Sequence, residues 1–196
     1  MTRRIGLAIS LAVTIIVGIA VWSDSTYRLP GNQQGYEPRQ PIAFSHRIHA
    51  GDNRISCLYC HSSAEKSRVA GIPAASTCMN CHQKVIPDSP EVRKVALALK
   101  TGKPIEWVRV HRLPALASFN HSAHVNAGFA CSHCHGPVET MERVRQENHL
   151  SMGFCVTCHR TWENKPPPVD SVVWAGGGLS PLHRLAPSTD CSVCHQ

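Results

Sequence analysis

Phe44-Ser-His46-Arg-Ile-His49-Ala-Gly-Asp-Asn-Arg-Ile-Ser-Cys57-Leu-Tyr-Cys60-His61 is the stretch from which the fold of the chain follows. It carries two histidines one helical step apart, then a Cys-x-x-Cys-His motif. On a helical turn, cysteines three apart share a face and can form thioether bonds to the two vinyl groups of one porphyrin. The histidine directly after them lies under the iron as proximal ligand. This is the attachment pattern of c-type haem.

The motif recurs. Cys57/Cys60/His61, Cys78/Cys81/His82, Cys131/Cys134/His135, Cys155/Cys158/His159 and Cys191/Cys194/His195 account for all 10 cysteines. A zinc half-site or a dithiol redox pair also uses Cys-x-x-Cys, but neither requires a histidine at the next position. The pattern therefore predicts five covalently attached haem c groups. The expected fold is a multihaem cytochrome c: an N-terminal transmembrane helix, then a mainly α, loop-rich domain with five stacked haems and little regular secondary structure. Porphyrins replace much of an ordinary apolar core there, and thioether links act as staples.

The formal charge of +7 does not point to nucleic acid. Five haems add about ten propionate charges, and the basic residues are scattered rather than run together. Arginines and lysines paired with propionates are the simpler reading.

Met-Thr-Arg-Arg precedes an uncharged apolar run from Ile5 to Trp22. Such a run is just long enough to span a bilayer, and Arg3 and Arg4 would hold its start on the cytoplasmic side. A cleaved signal peptide is the alternative, with Val21-x-Ser23 a poor cleavage match. The expectation is a retained single-pass anchor over residues 1–23 in the inner membrane, with the haem domain on the periplasmic side. Residues 24–41, rich in Pro, Gly and Gln, form a linker.

An internal repeat sets the domain organisation. Phe44-Ser-His46-Arg-Ile-His49 precedes Cys57, and Phe119-Asn-His121-Ser-Ala-His124 precedes Cys131 at nearly the same offset, each followed by a further motif. The expected modules are 42–104 with two haems and 105–196 with three. Between them, Ser89 as N-cap, Pro90 at the first helical position and Gly102 with Pro104 as the stop predict a helix. Val92, Val95, Ala96 and Leu99 form its apolar stripe. The long patternless stretch from Glu163 to Pro181 is a candidate contact loop around Trp174, or a plain crossover.

Proximal ligands are His61, His82, His135, His159 and His195. Histidines at i and i+3 point into neighbouring haems rather than at one, so His46, His49, His121 and His124 are the expected distal ligands. For the fifth position His111, His149, His183, Met141 and Met152 compete, with His111 and Met141 ranked first; a methionine would raise that haem's potential.

Gln-Pro-Ile-Ala-Phe-Ser-His-Arg-Ile-His-Ala-Gly, Thr-Cys-Met-Asn-Cys-His, Phe-Asn-His-Ser-Ala-His-Val and Leu-Ser-Met-Gly-Phe-Cys-Val-Thr-Cys-His-Arg, behind an N-terminal anchor, resemble the pentahaem subunit of bacterial alternative complex III. The second module also looks like the small trihaem cytochromes c7. The resemblance implies an electron-transfer subunit, not itself an enzyme, of a quinol:electron-acceptor oxidoreductase. Implied partners are an iron–sulfur subunit, a polytopic quinol-binding membrane subunit and a monohaem cytochrome c. The competing reading is a self-contained membrane quinol dehydrogenase of the tetrahaem type. A multihaem enzyme with an open iron would need a pocket of acid–base groups that the sequence does not display.

Overall fold

The computed structural model describes residues 2–23, 33–161 and 188–195, with side chains of the first helix described over 6–19 except 8. The linker's first part (24–32), His183 and the stretch around Trp174 lie outside the described residues. The chain divides into two compact units, Met1–Asn32 and Gln33–Gln196.

The first unit is built on helix α1, Thr2–Ser23. Leu7, Ile9, Leu11, Val13, Ile15, Ile16, Val17 and Ile19 are all exposed along it. Among the described residues no helix is long and apolar enough to cross a membrane.

The second unit consists of short helices joined by loops; among its described residues there is no strand. Each haem motif folds as a helical turn. These are α2 (Cys57–Cys60), the end of α3 (Ala75–His82), α6 (Cys131–His135), the interior of α7 (Met152–Thr161) and α8 (Cys191–Cys194). Asp190 caps α8 by accepting from the Ser192 amide, which satisfies one orphan donor at the helix start.

Helix α4, Pro90–Thr101, lies where the sequence signals put it, and Gly102 closes it in the left-handed conformation (φ 70°). Two details differ from expectation. The Ser89 side chain makes no capping hydrogen bond. Of the apolar stripe, Val92 and Val95 are buried but Leu99 is 48% exposed, because the far end of α4 runs past the residues it covers. Glu91 ties α4 to the repeat, accepting from the Ala43 amide at 2.8 Å, and Lys94 Nζ donates to the Pro41 carbonyl at 3.2 Å.

The two copies of the repeat fold differently. The second makes a regular helix, α5 (His121–Asn126), capped by Asn120, whose side chain accepts from the Ser122 amide. The first makes a π-helical turn, Arg47–Asp52, an expanded turn of the kind found at functional sites. Arg47 fixes it, donating to Glu142 Oε1 at 2.6 Å and Asp52 Oδ2 at 2.8 Å, while its amide donates to the Met141 carbonyl at 2.9 Å. Gly51 sits directly against the Glu139 carbonyl, where any Cβ would collide.

Among the described residues the buried apolar side chains are few: Ile42, Ala64, Val92, Val95, Val110, Val125 and Met141. Gln146 is completely buried and acts as a polar rivet. Its Oε1 accepts from the Arg112 amide, its Nε2 donates to the Asn148 carbonyl, and its backbone pairs with Gly35 and Tyr36.

Candidate functional site

The cysteines form no disulfides among the described residues, so their sulfurs are available for thioether bonds. They are not equally enclosed. Eight of the ten are partly buried. Cys81 is exposed, as is Cys191. The reason for Cys81 is its place in the fold. It lies in the last turn of α3, which packs on α4, and His82 Nδ1 pairs with the Val85 carbonyl just beyond the helix. Its spacing to Cys78 and His82 still sets it on the motif's shared turn.

The histidines are arranged by three devices. The first is an anchor on the far ring nitrogen. Nδ1 of His49 pairs with the Ser45 carbonyl, His61 with Gly71, His82 with Val85, His121 with Arg68, His124 with Asn120, His159 with Ser188 and His195 with Leu116, all at 2.6–3.0 Å. A carbonyl can only accept, so Nδ1 carries the proton and Nε2 is left as a lone pair. That tautomer binds a metal, and an outer hydrogen bond of this kind fixes the ring's orientation.

The second is an aromatic wedge. Phe44 meets His46 edge-on at 4.9 Å and His49 at 4.3 Å with a 30° tilt; Phe119 meets His121 edge-on at 4.8 Å and His124 at 4.5 Å with the same tilt. The ring geometry is thus reproduced in both copies although one backbone is π and the other α. Sequence reasoning gave these phenylalanines no role. Their recurrence two residues before the first histidine was the available signal.

The third is spacing across the fold. Ring centroids of His49 and His82 are 6.0 Å apart, those of His124 and His159 also 6.0 Å, and those of His121 and His135 6.4 Å with planes only 9° apart. Two imidazoles on opposite sides of one metal, each with a bond of about 2 Å to it, place their centroids about 6 Å apart. Each pair joins a proximal histidine to one from a Phe-x-His-x-x-His segment. His46 is half-buried; burial first, then His61, His49 and His111, pull its imidazole down to about 4.

His111 lies at the meeting of these groups. Its ring touches His135 edge-on at 4.4 Å, too close for a metal between the two. Its Nε2 is buried without a hydrogen-bond partner, as is Nδ1 of His46. Burial, then His121, lowers the His111 imidazole to about 4. His135 falls to about 3 through burial and then His111, His121, His61 and His46. His124 is lowered mainly by burial, against the opposing hydrogen bond to Asn120. All are held neutral, the form that ligates a metal.

Met141 is 3% exposed and belongs to the apolar core. Met152 is exposed. His149 Nδ1 pairs with the Ser151 hydroxyl at 2.8 Å, and His133 Nε2 approaches Cys158 Sγ at 4.0 Å. These two histidines line a cavity of about 360 Å³ with Phe154 and Cys158.

The residues present fit haem c. Imidazole pairs at metal-bridging separation, thiols in motif spacing and a sparse apolar core are all accounted for by it. A haem iron takes two axial protein ligands, so it needs no cluster of three; none that could hold a metal ion occurs among the described residues.

Fold and site together define a class: a helical, loop-rich, cytochrome c7-like multihaem structure with covalently bound haem c. Residues 117–196 match the family described as cytochrome c7 and related cytochrome c. The chain is also 33% identical over 128 residues to the multihaem cytochrome c subunit of menaquinone reductase from Nitratidesulfovibrio vulgaris (strain Hildenborough). That alignment covers 65% of this chain and 56% of the relative, so the chain spans little more than half the length of the curated protein it matches.

Proposed function

We propose that this chain is a membrane-anchored pentahaem cytochrome c, an electron-transfer subunit of a quinol-oxidising complex of the alternative complex III type. Residues 1–23 serve as a single-pass anchor, and the haem domain lies on the extracytoplasmic face of the inner membrane. When bound, haem c supplies reversible one-electron redox chemistry at iron. The chain's own residues do the rest. Ten cysteines in motif spacing fix the porphyrins, and His61, His82, His135, His159 and His195 stand as proximal ligands. His49, His121 and His124 face His82, His135 and His159, and His46 is left for His61.

The observation that carries this reading is the recurring imidazole pair at about 6 Å, anchored through Nδ1. If both imidazoles of such a pair held one haem iron, no position would be left there for substrate, which favours a conduit over an enzyme.

Gentle detergent extraction with a C-terminal tag tests it. Recovery of a large assembly with an iron–sulfur subunit and polytopic membrane subunits is the expected result. A chain recovered alone that still accepts electrons from added quinol would place the quinol site here and favour the self-contained dehydrogenase.

The relative's name favours a second reading, in which electrons run towards menaquinone rather than from quinol. Purified complex that reduces a menaquinone analogue from a low-potential donor, and fails to oxidise menaquinol with a cytochrome acceptor, would establish that direction.

A further inference from the structure

The five motifs are not laid out in space as they are in sequence. The first and second motifs touch through Asn80, whose Nδ2 donates to the Tyr59 hydroxyl at 3.0 Å. The segments that face them, His46 and His49, occupy one helical turn. The second motif is then backed by α4, since α3 and α4 pack together.

The first motif, in contrast, meets the third. The loop after His61 receives α5: the His121 and Ser122 amides donate to the Arg68 and Ser67 carbonyls at 3.2 and 3.1 Å, and Asn126 Nδ2 donates to Glu65 at 3.0 Å. His121 Nδ1 is itself anchored on Arg68. His121 in turn faces His135 at 6.4 Å, which ties the loop of the first motif to the third haem site.

From the third motif the row continues in order. His133, inside that motif, reaches Cys158 of the fourth at 4.0 Å, and α5 serves both through His121 and His124. The fourth meets the fifth where His159 Nδ1 pairs with the Ser188 carbonyl at 2.6 Å, three residues before Cys191. The two exposed cysteines, Cys81 and Cys191, belong to the second and fifth motifs, the pair that these contacts leave with a motif on one side alone.

We infer that the haem-attachment motifs run in the spatial order second, first, third, fourth, fifth, the two modules being joined head to head through their first motifs. The termini of the row are then the Cys78/Cys81/His82 and Cys191/Cys194/His195 sites. This rests on the pentahaem reading and deepens it: the second motif, internal in sequence, becomes one of the two places where an outside redox partner can connect.

The order is read from iron positions in a cryo-electron microscopy map of the holoprotein, in whatever assembly it is isolated, after mass analysis has counted the haems. The expected result is that the iron bound by His135 has the His61 iron as its nearest neighbour from the first module, with the His82 iron farther out. A His82 iron lying nearer to the His135 iron than the His61 iron does overturns the inference. A second measurement needs no map. Removing the first haem with Cys57→Ala/Cys60→Ala should abolish magnetic coupling between the second haem and the rest. Coupling retained at the level of the parent protein would refute the order. A haem count below five would fault the pentahaem reading, while the His61/His135 neighbourhood is still decided by the irons present. Isolation outside a quinol-oxidising complex would fault the assembly reading and leave the order to be judged on its own.

Discussion

Replacing Gly136 with alanine probes how tightly the third proximal histidine is held. Gly136 closes α6 directly after His135, at φ 74° and ψ −168°. That region of backbone space is essentially closed to residues with a Cβ and costs about 1–3 kcal/mol to occupy. An added Cβ would also sit 2.6 Å from Glu147 Cγ and 2.7 Å from Glu147 Cβ. These are atoms close to the main chain, so a rotamer change alone cannot clear them, and the displacement adds about 1 kcal/mol. Together the cost is about 2–4 kcal/mol, a factor of roughly 30 to 700 in the folding equilibrium. Guanidinium unfolding of the ferric holoprotein, followed at the Soret band, should show the midpoint fall, and paramagnetic resonance should show a new high-spin signal from the His135 site. Gly136→Ala/Glu147→Gly should regain only the steric part, since the backbone strain stays; the lost Arg145–Glu147 pair (2.7 Å, half-exposed) is worth about 0–1 kcal/mol. An unchanged midpoint in the single variant, or complete recovery in the double, would refute the reasoning.

His49→Ala and His124→Ala should each turn one haem high-spin while mass analysis shows covalent attachment intact; an unchanged low-spin spectrum would remove that residue from the ligand set. Gln146→Leu leaves the Arg112 amide and Asn148 carbonyl unpaired in a dry site, at about 1–3 kcal/mol for each orphaned group, and a thermal midpoint equal to that of the parent would show the rivet to be dispensable. Met141→Leu is volume-conserving and should cost less than about 1.5 kcal/mol with no spectral change, whereas a methionine ligand would leave a spin-state change in its place. His46 and His111 are drawn from 6.5 to about 4 and His135 to about 3. The folded chain therefore binds fewer protons than the unfolded one below pH 6.5. The stability of these neutral rings is complete above pH 6.5 and is lost as pH falls towards 4 and then 3. An acid titration of the Soret band complete above pH 6.5 would contradict this.

The haem motifs are legible in the sequence because thioether attachment is a local matter: the cysteines and histidine must share one turn. How deeply each motif lies is not local, and the exposure of Cys81 beside the part-buried Cys78 is set by where α3 ends against α4. Helix α4 is legible for the same reason as the motifs, through Pro90 and Gly102. The facing of His49 to His82, or of His124 to His159, is another kind of fact. It depends on how distant segments dock, and periodicity carries no record of that. The π turn at Arg47–Asp52 was likewise hidden, since it depends on Arg47 reaching Glu142 and on Gly51 lying against Glu139. The absent Ser89 cap shows the reverse: a residue of the right type at the right place whose side chain makes no capping bond. His111 was ranked for its supply of a ring nitrogen, and only the fold reveals that its ring abuts His135.

The carbonyls that fix the histidine tautomers come from Ser45, Gly71, Val85, Arg68, Asn120, Ser188 and Leu116. Every amino acid has such a group, proline included, so no codon change can delete it. Sequence drift at most of these positions can alter surface, charge and partner choice while the metal-facing nitrogen stays ready. Gly71 is the exception: at φ 74° a side chain would strain the backbone that aims its oxygen at His61. Heritable variation that reaches the first proximal ligand through its anchor has that one narrow door.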